Sequence, residues 1–111
     1  MSIPEVGPEE ARELVEGGAF LLDVREPEEW VAGHAPQAES VPLNEVPARL
    51  DALPRTRQIV AVCRSGARSG KATEFLAAQG FDVVNLGGGM KAWAAAGFTV
   101  ETDDGAAGTV A

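Results

Sequence analysis

Short apolar blocks alternate with polar blocks marked by glycine or proline along the whole chain. Phe20-Leu21-Leu22-Asp23-Val24, Ile59-Val60-Ala61-Val62 and Val83-Val84-Asn85-Leu86 lack the in–out alternation of a half-exposed strand. Such runs predict strands covered on both faces. Ser40-Val41, just before Pro42, predicts a further short strand. Helical patterns lie between them. Gly7-Pro8-Glu9-Glu10 opens the first: proline fits an initial helical turn, and acids there complement the positive end of the dipole. Ala11, Leu14 and Val15 form its apolar stripe, and Gly17-Gly18 stops it. Glu26-Pro27-Glu28-Glu29-Trp30 opens a second helix by the same chemistry. Val46, Leu50 and Leu53 line a third, and Ala72, Phe75 and Leu76 line a fourth over 69–79 that ends at Gly80. Beyond Gly87-Gly88-Gly89, Met90, Trp93, Ala94 and Gly97 again repeat at helical spacing. Strands each followed by a helix indicate an α/β fold with a parallel sheet covered on both faces. In such sheets ligands bind beyond the carboxyl ends of the strands. From Glu101 onward the pattern is lost, and 101–111 is expected to be a frayed, flexible tail behind a single domain spanning 1–100.

Composition narrows the function classes. A chain of 111 residues with 45% apolar content fits one soluble core. No run approaches the ~20 apolar residues of a membrane span, and Met1-Ser2-Ile3-Pro4-Glu5 lacks the features of a signal peptide. A lone cysteine forms no internal disulfide, so a reducing cytoplasm is the expected location. One His and one Cys are too few for a zinc site, and no metal or cofactor is expected. Nine basic and seventeen acidic residues give a net charge of −8, which argues against nucleic-acid binding. The balance inverts locally. Arg55, Arg57, Arg64, Arg68 and Lys71 fall between Ala52 and Thr73, a stretch without Asp or Glu. A field of this sign suits a small anion. A solvated basic surface accounts for Arg55 and Arg57, and accounts poorly for Arg64 and Arg68, which flank a turn carrying the thiol.

That turn is Cys63-Arg64-Ser65-Gly66-Ala67-Arg68-Ser69. Cys63 follows the strand 59–62 and precedes a helix. A tight turn feeding a helix aims several N–H groups inward and, with the positive helix end, forms an anion cradle. Gly66 permits a backbone angle closed to most residues. Ser65 and Ser69 supply hydroxyls that donate inward or cap the helix. A sulfur at the centre of this cradle is favoured as thiolate, so Cys63 is expected to ionise below an ordinary thiol and to act as a nucleophile. The alternative, a small buried apolar side chain, fits less well with a charged and a hydroxylated neighbour.

Three blocks in this order are similar to those of single-domain members of the rhodanese-like sulfurtransferase family: Leu22-Asp23-Val24-Arg25 through Glu28-Glu29-Trp30 to Gly33-His34; the Cys63 loop; and Asn85-Leu86-Gly87-Gly88-Gly89-Met90 with Trp93 and Gly97. The resemblance runs from about Ile3 to Val100. It implies a three-layer α/β/α sandwich around a five-stranded, mainly parallel sheet. It also implies a double displacement. Cys63 thiolate takes the outer sulfur of a small anionic donor such as thiosulfate, and a thiol, a protein acceptor or cyanide then removes that sulfur from the persulfide. Arg64 and Arg68 become candidates for orienting the donor, with bracing of the loop the alternative for Arg68. Related phosphatases and arsenate reductases use a longer loop, whereas Cys63 to Arg68 spans six residues, and no acid is evident to protonate a leaving alkoxide. A non-catalytic binding module of the same fold is the other alternative, and it usually lacks the cysteine that this chain keeps. The chain departs from the family at Ala35 and Gln37, where isoleucine and glycine are common, and at Thr99, where proline is common.

Six residues outside the loop carry expectations of their own. His34 is read as a structural hydrogen-bonding residue rather than a general base. Asp23 and Arg25 are read as a buried ion pair that fixes the neighbouring loop. Gly87-Gly88-Gly89 lacks the Lys-Ser/Thr of a phosphate-binding loop and is read as a tight turn passing near the active loop.

Overall fold

The computed structural model describes residues 3–111; Met1 and Ser2, at the start of the expected domain, lie outside the described residues. Five strands form one parallel sheet in the order β1-β5-β4-β2-β3: β1 (Glu5–Val6), β2 (Phe20–Asp23), β3 (Ala38–Ser40), β4 (Ile59–Val62) and β5 (Val83–Leu86). The helices α1 (Pro8–Glu16), α2 (Pro27–Ala32) and α3 (Ala67–Ala78) lie between strands, and α4 (Gly89–Ala95) follows β5. The two sheet faces carry separate apolar clusters. Leu22, Ile59, Ala61, Cys63 and Val83 pack with Leu76 of α3 and with Val46 and Leu53 on one side. Leu21, Val60, Val62, Val84 and Leu86 pack with Ala11 and Val15 of α1 and Met90 and Trp93 of α4 on the other. This is the three-layer arrangement, and the alternation along β4 carries Cys63 onto the α3 side.

Three elements differ from the sequence pattern. Glu5–Val6 is a strand, paired with Asn85 and Leu86; two residues are too few to show a period. The third helix is a run of 3₁₀ turns over Leu43–Ala52, because Pro47 lies inside it and Arg49 leaves helical geometry at φ −117°, ψ 20°. The fourth helix begins at Ala67, capped by Gly66, so Ser69 sits inside its first turn and caps nothing.

The tail is the main correction. Residues 101–111 are not frayed but double back on the domain. Glu101 exchanges two main-chain hydrogen bonds of 2.9 Å with His34, Gly108 donates to Val100 and Thr109 donates to Ala32. Val110 joins the apolar cluster of α1 and α4. Two glycines let the chains touch: a Cβ on Gly108 would lie 2.8 Å from the Gly33 Cα. Hydrogen bonding of main chain to main chain is blind to side-chain pattern, which is why a polar, glycine-rich stretch gives no sign of it.

Candidate active site

Cys63 follows directly on β4, at its carboxyl end, and is wholly buried. The layers of the fold therefore close over the sulfur. The sulfur is not sealed in hydrocarbon, however. The Gly66 amide donates to Sγ over 3.0 Å, and the Ser69 hydroxyl lies 3.4 Å away. Gly66 has φ +112°, the left-handed region that glycine adopts without strain, and this bend turns its N–H back to the sulfur. Burial pushes the Cys63 thiol up; hydrogen bonds from the Ser69 hydroxyl and from the amides of Ser69, Gly66 and Ser65 outweigh it, so the thiol ionises below its ordinary range.

The loop is held from outside by α4. Met90 and Lys91 donate their amides to the carbonyls of Cys63 and Arg64 over 2.8 and 3.0 Å. This contact needs Gly89: a Cβ there would sit 2.4 Å from the Cys63 carbonyl oxygen. The glycine turn thus passes against the loop as expected, and its Gly87 amide donates to the Val6 carbonyl.

The arginines separate. Arg68 forms a two-pronged pair with Glu29 of α2, at 2.7 and 2.9 Å. The pair holds the Glu29 carboxyl at about 2 and raises Arg68 above its ordinary value. Glu29 also accepts the Glu26 amide at the start of α2, so one carboxylate ties a helix end to the loop. The sequence pattern gave Glu29 only a place in a helix start; its role as partner of Arg68 needs the tertiary fold. Arg64 is exposed, has no carboxylate partner among the described residues, and donates to the main-chain oxygen of Ala111 over 3.0 Å. Ser65 and Ala67 are exposed on the loop rim. Arg55 and Arg57 lie away from the loop, bound to the carbonyls of Gln79 and Gly18 and set over the rings of Phe81 and Phe20.

Asp23 and Arg25 form a fully buried pair at 2.8 Å, and Arg25 also donates to the Gly33 carbonyl over 2.8 Å. They fix the chain between β2 and α2. His34 stacks on Trp30 with ring centroids 3.6 Å apart and makes a 2.9 Å contact from Nδ1 to the Trp30 carbonyl. Its other nitrogen is 3.4 Å from Asp103 in the folded-back tail. These contacts place His34 in packing between α2 and the tail. A further residue was not singled out from sequence: buried Asn85 accepts from Ser69 over 2.6 Å. A polar residue inside the otherwise apolar strand 83–86 was the available signal. No helix among the described residues is long and apolar enough to cross a membrane.

Comparison with known proteins agrees with this geometry. The family model for the rhodanese-like domain matches residues 7–96. A protein of Allochromatium vinosum named sulfurtransferase is 41% identical over 87 residues, covering 78% of this chain and 81% of that protein. The thiosulfate sulfurtransferase GlpE of Pseudomonas aeruginosa (strain LESB58) is 34% identical over 89 residues, covering 79% and 81%. The crystal structure of a rhodanese-related protein from Thermoplasma volcanium superposes with a TM-score of 0.82 at 29% identity, over 87% of this chain and 96% of that one. A matched span reaching from the residue before α1 to the C-cap of α4, with the cysteine loop inside it, makes this chain a member of the rhodanese-like domain family.

Proposed function

We propose that this protein is a sulfurtransferase that carries sulfur as a persulfide on Cys63. Sulfur transfer in general is supported by family membership and by relatives that bear that name. The observation that carries the role of Cys63 is the inward turn of the loop, with the Gly66 amide 3.0 Å from Sγ. Fixed dipoles of this kind hold negative charge without reorganising as it moves. The thiolate of Cys63 attacks the outer sulfur of a sulfane donor such as thiosulfate. A sulfur–sulfur bond forms, the donor's own sulfur–sulfur bond breaks, and sulfite departs with the electron pair. The outer sulfur of the persulfide carries the charge that the thiolate brought. A thiolate or cyanide then attacks that sulfur and returns Cys63 as thiolate. Arg64 receives the anionic end of the donor, since its contact with the Ala111 oxygen is one an anion can replace. Arg68 braces the loop, its charge already engaged by Glu29. The acceptor is a separate molecule, because the chain has no second cysteine to resolve the persulfide.

Intact-mass measurement after incubation with thiosulfate tests the reading. One added sulfur on the protein, absent in Cys63→Ala, and thiocyanate release with cyanide that the same substitution abolishes are expected. A native protein that gains no sulfur from thiosulfate and releases no thiocyanate overturns it.

A further inference from the structure

Behind the loop, a hydrogen-bonded chain leads away from the sulfur, buried as far as Asn85 and ending at exposed Glu5: Cys63 Sγ, Ser69 Oγ at 3.4 Å, Asn85 Oδ1 at 2.6 Å from that hydroxyl, and Asn85 Nδ2 at 3.1 Å from Glu5 on β1. Chemistry fixes the directions. Asn85 Nδ2 lies 3.2 Å from the Gly66 carbonyl as well as 3.1 Å from the Glu5 carboxylate. Both neighbours only accept, so this end of the amide is the NH₂ group and Oδ1 faces Ser69. Oδ1 also only accepts, so the Ser69 hydroxyl donates to it. A hydroxyl has one proton. Given to Asn85 over 2.6 Å, it reaches the sulfur only by leaving Asn85, and toward the neutral thiol the Ser69 oxygen turns its lone pairs.

We propose that Asn85 is a positioning residue for Cys63: by drawing the Ser69 proton to itself, it makes the hydroxyl accept from the resting thiol and lets it donate to the sulfur only once the sulfur is an anion. The significance of this arrangement rests on the sulfur-transfer reading above. In the thiol state, S–H donates to Ser69 and Ser69 donates to Asn85. On ionisation the thiol proton leaves to solvent. The hydroxyl keeps its own proton and rotates it toward the sulfur, because a hydrogen bond to an anion is about twice as strong as one between neutral groups. Asn85 Oδ1 then loses its donor inside the protein, an opposing cost. Ser69 therefore aids the thiolate only against a competitor, and the unconditional support comes from the loop amides. When a second sulfur is bound, Sγ becomes a neutral, weak acceptor and the hydroxyl returns to Asn85. Asn85 also holds the Gly66 carbonyl, and so the peptide next to the amide that faces Sγ.

The test is the pH dependence of Cys63 alkylation by iodoacetamide in wild type, Asn85→Ala, Ser69→Ala and the double variant. The charges near the thiol stay in place in all four: Arg64 in the loop, Arg68 of α3 with Glu29 of α2, Glu5 of β1, Lys91 of α4 and the Asp23–Arg25 pair beyond β2. Releasing the hydroxyl in Asn85→Ala is expected to lower the alkylation midpoint by about one pH unit, or about tenfold more thiolate at a fixed acidic pH. Alkylation there should quicken about threefold, since a less basic thiolate is also less nucleophilic. In the Ser69→Ala background the same Asn85 substitution should move the midpoint by no more than a few tenths. If Asn85 merely held the fold, its loss would loosen the loop and raise the midpoint. A rise, no change, or a shift that survives without Ser69 overturns the proposal. Should Asn85→Ala fail to fold, Ser69→Ala decides alone. A midpoint within about half a pH unit of wild type supports the competition, whereas a rise of about one unit or more identifies the hydroxyl as a plain donor. No sulfur donor enters this assay. Absent persulfide with an intact Asn85 effect rejects sulfur transfer alone; persulfide without that effect rejects only the positioning role.

Discussion

Glu29→Gln removes one charge from the brace between α2 and the loop while keeping an acceptor for the Glu26 amide. The wild-type carboxyl sits at about 2 instead of its ordinary 4.5, chiefly through its hydrogen bonds to Arg68. Taken whole, that difference is worth about 3 kcal/mol. Arg68 keeps 36% of its side chain in water, and solvent screening reduces the contribution to about 1–2 kcal/mol. In this size range each kcal/mol moves the melting temperature by about 4 °C, so Glu29→Gln should melt about 4–8 °C lower at neutral pH. The folded-state value is depressed. The stabilisation is therefore complete above the ordinary value, declines as pH falls from 4.5 toward 2, and vanishes below that. Urea unfolding of both proteins at neutral pH and at several pH values inside that window measures the gap. Equal stability at neutral pH, or a gap that persists undiminished near the folded-state value, would refute the assignment of this stabilisation to the charge on Glu29.

Two further outcomes follow from close backbone contacts. Gly89→Ala places a methyl 2.4 Å from the Cys63 carbonyl oxygen at a residue with φ +60°; it should cost about 2–4 kcal/mol and slow persulfide formation, checked by urea unfolding and intact mass. Gly108→Ala places a methyl 2.8 Å from Gly33 and 3.0 Å from the Ala32 carbonyl oxygen. It should lift residues 101–111 and speed amide exchange there, with little change in the protection of β4 and β5, as read by hydrogen-exchange mass spectrometry.

Local chemistry made much of this protein legible in its sequence. Short, mostly apolar runs without in–out alternation, bounded by glycine and proline, indicate strands covered on both faces, so β2, β4 and β5 and the layers around them followed from hydrophobic pattern and its punctuation. Cys63 lies one residue past β4 in a turn with glycine at 66, and that order of residues is enough to predict a thiol among inward amides. The buried Asp23–Arg25 pair was readable for a similar reason: charged neighbours at a strand end need each other. What the chain could not reveal by itself depends on which distant segments meet. Glu29 and Arg68 stand 39 positions apart, and nothing in either neighbourhood says that one neutralises the other. Ser69, Asn85 and Glu5 come from three elements and form a line only after β1 pairs with β5 and α3 packs over β5. The return of residues 101–111 to Ala32, His34 and Val100 is made of main-chain hydrogen bonds, which almost any sequence can form. Burial of the Cys63 sulfur is likewise a property of the assembled layers. Pattern and residue type dictate what each segment can become; long-range packing selects which donors, acceptors and charges face one another.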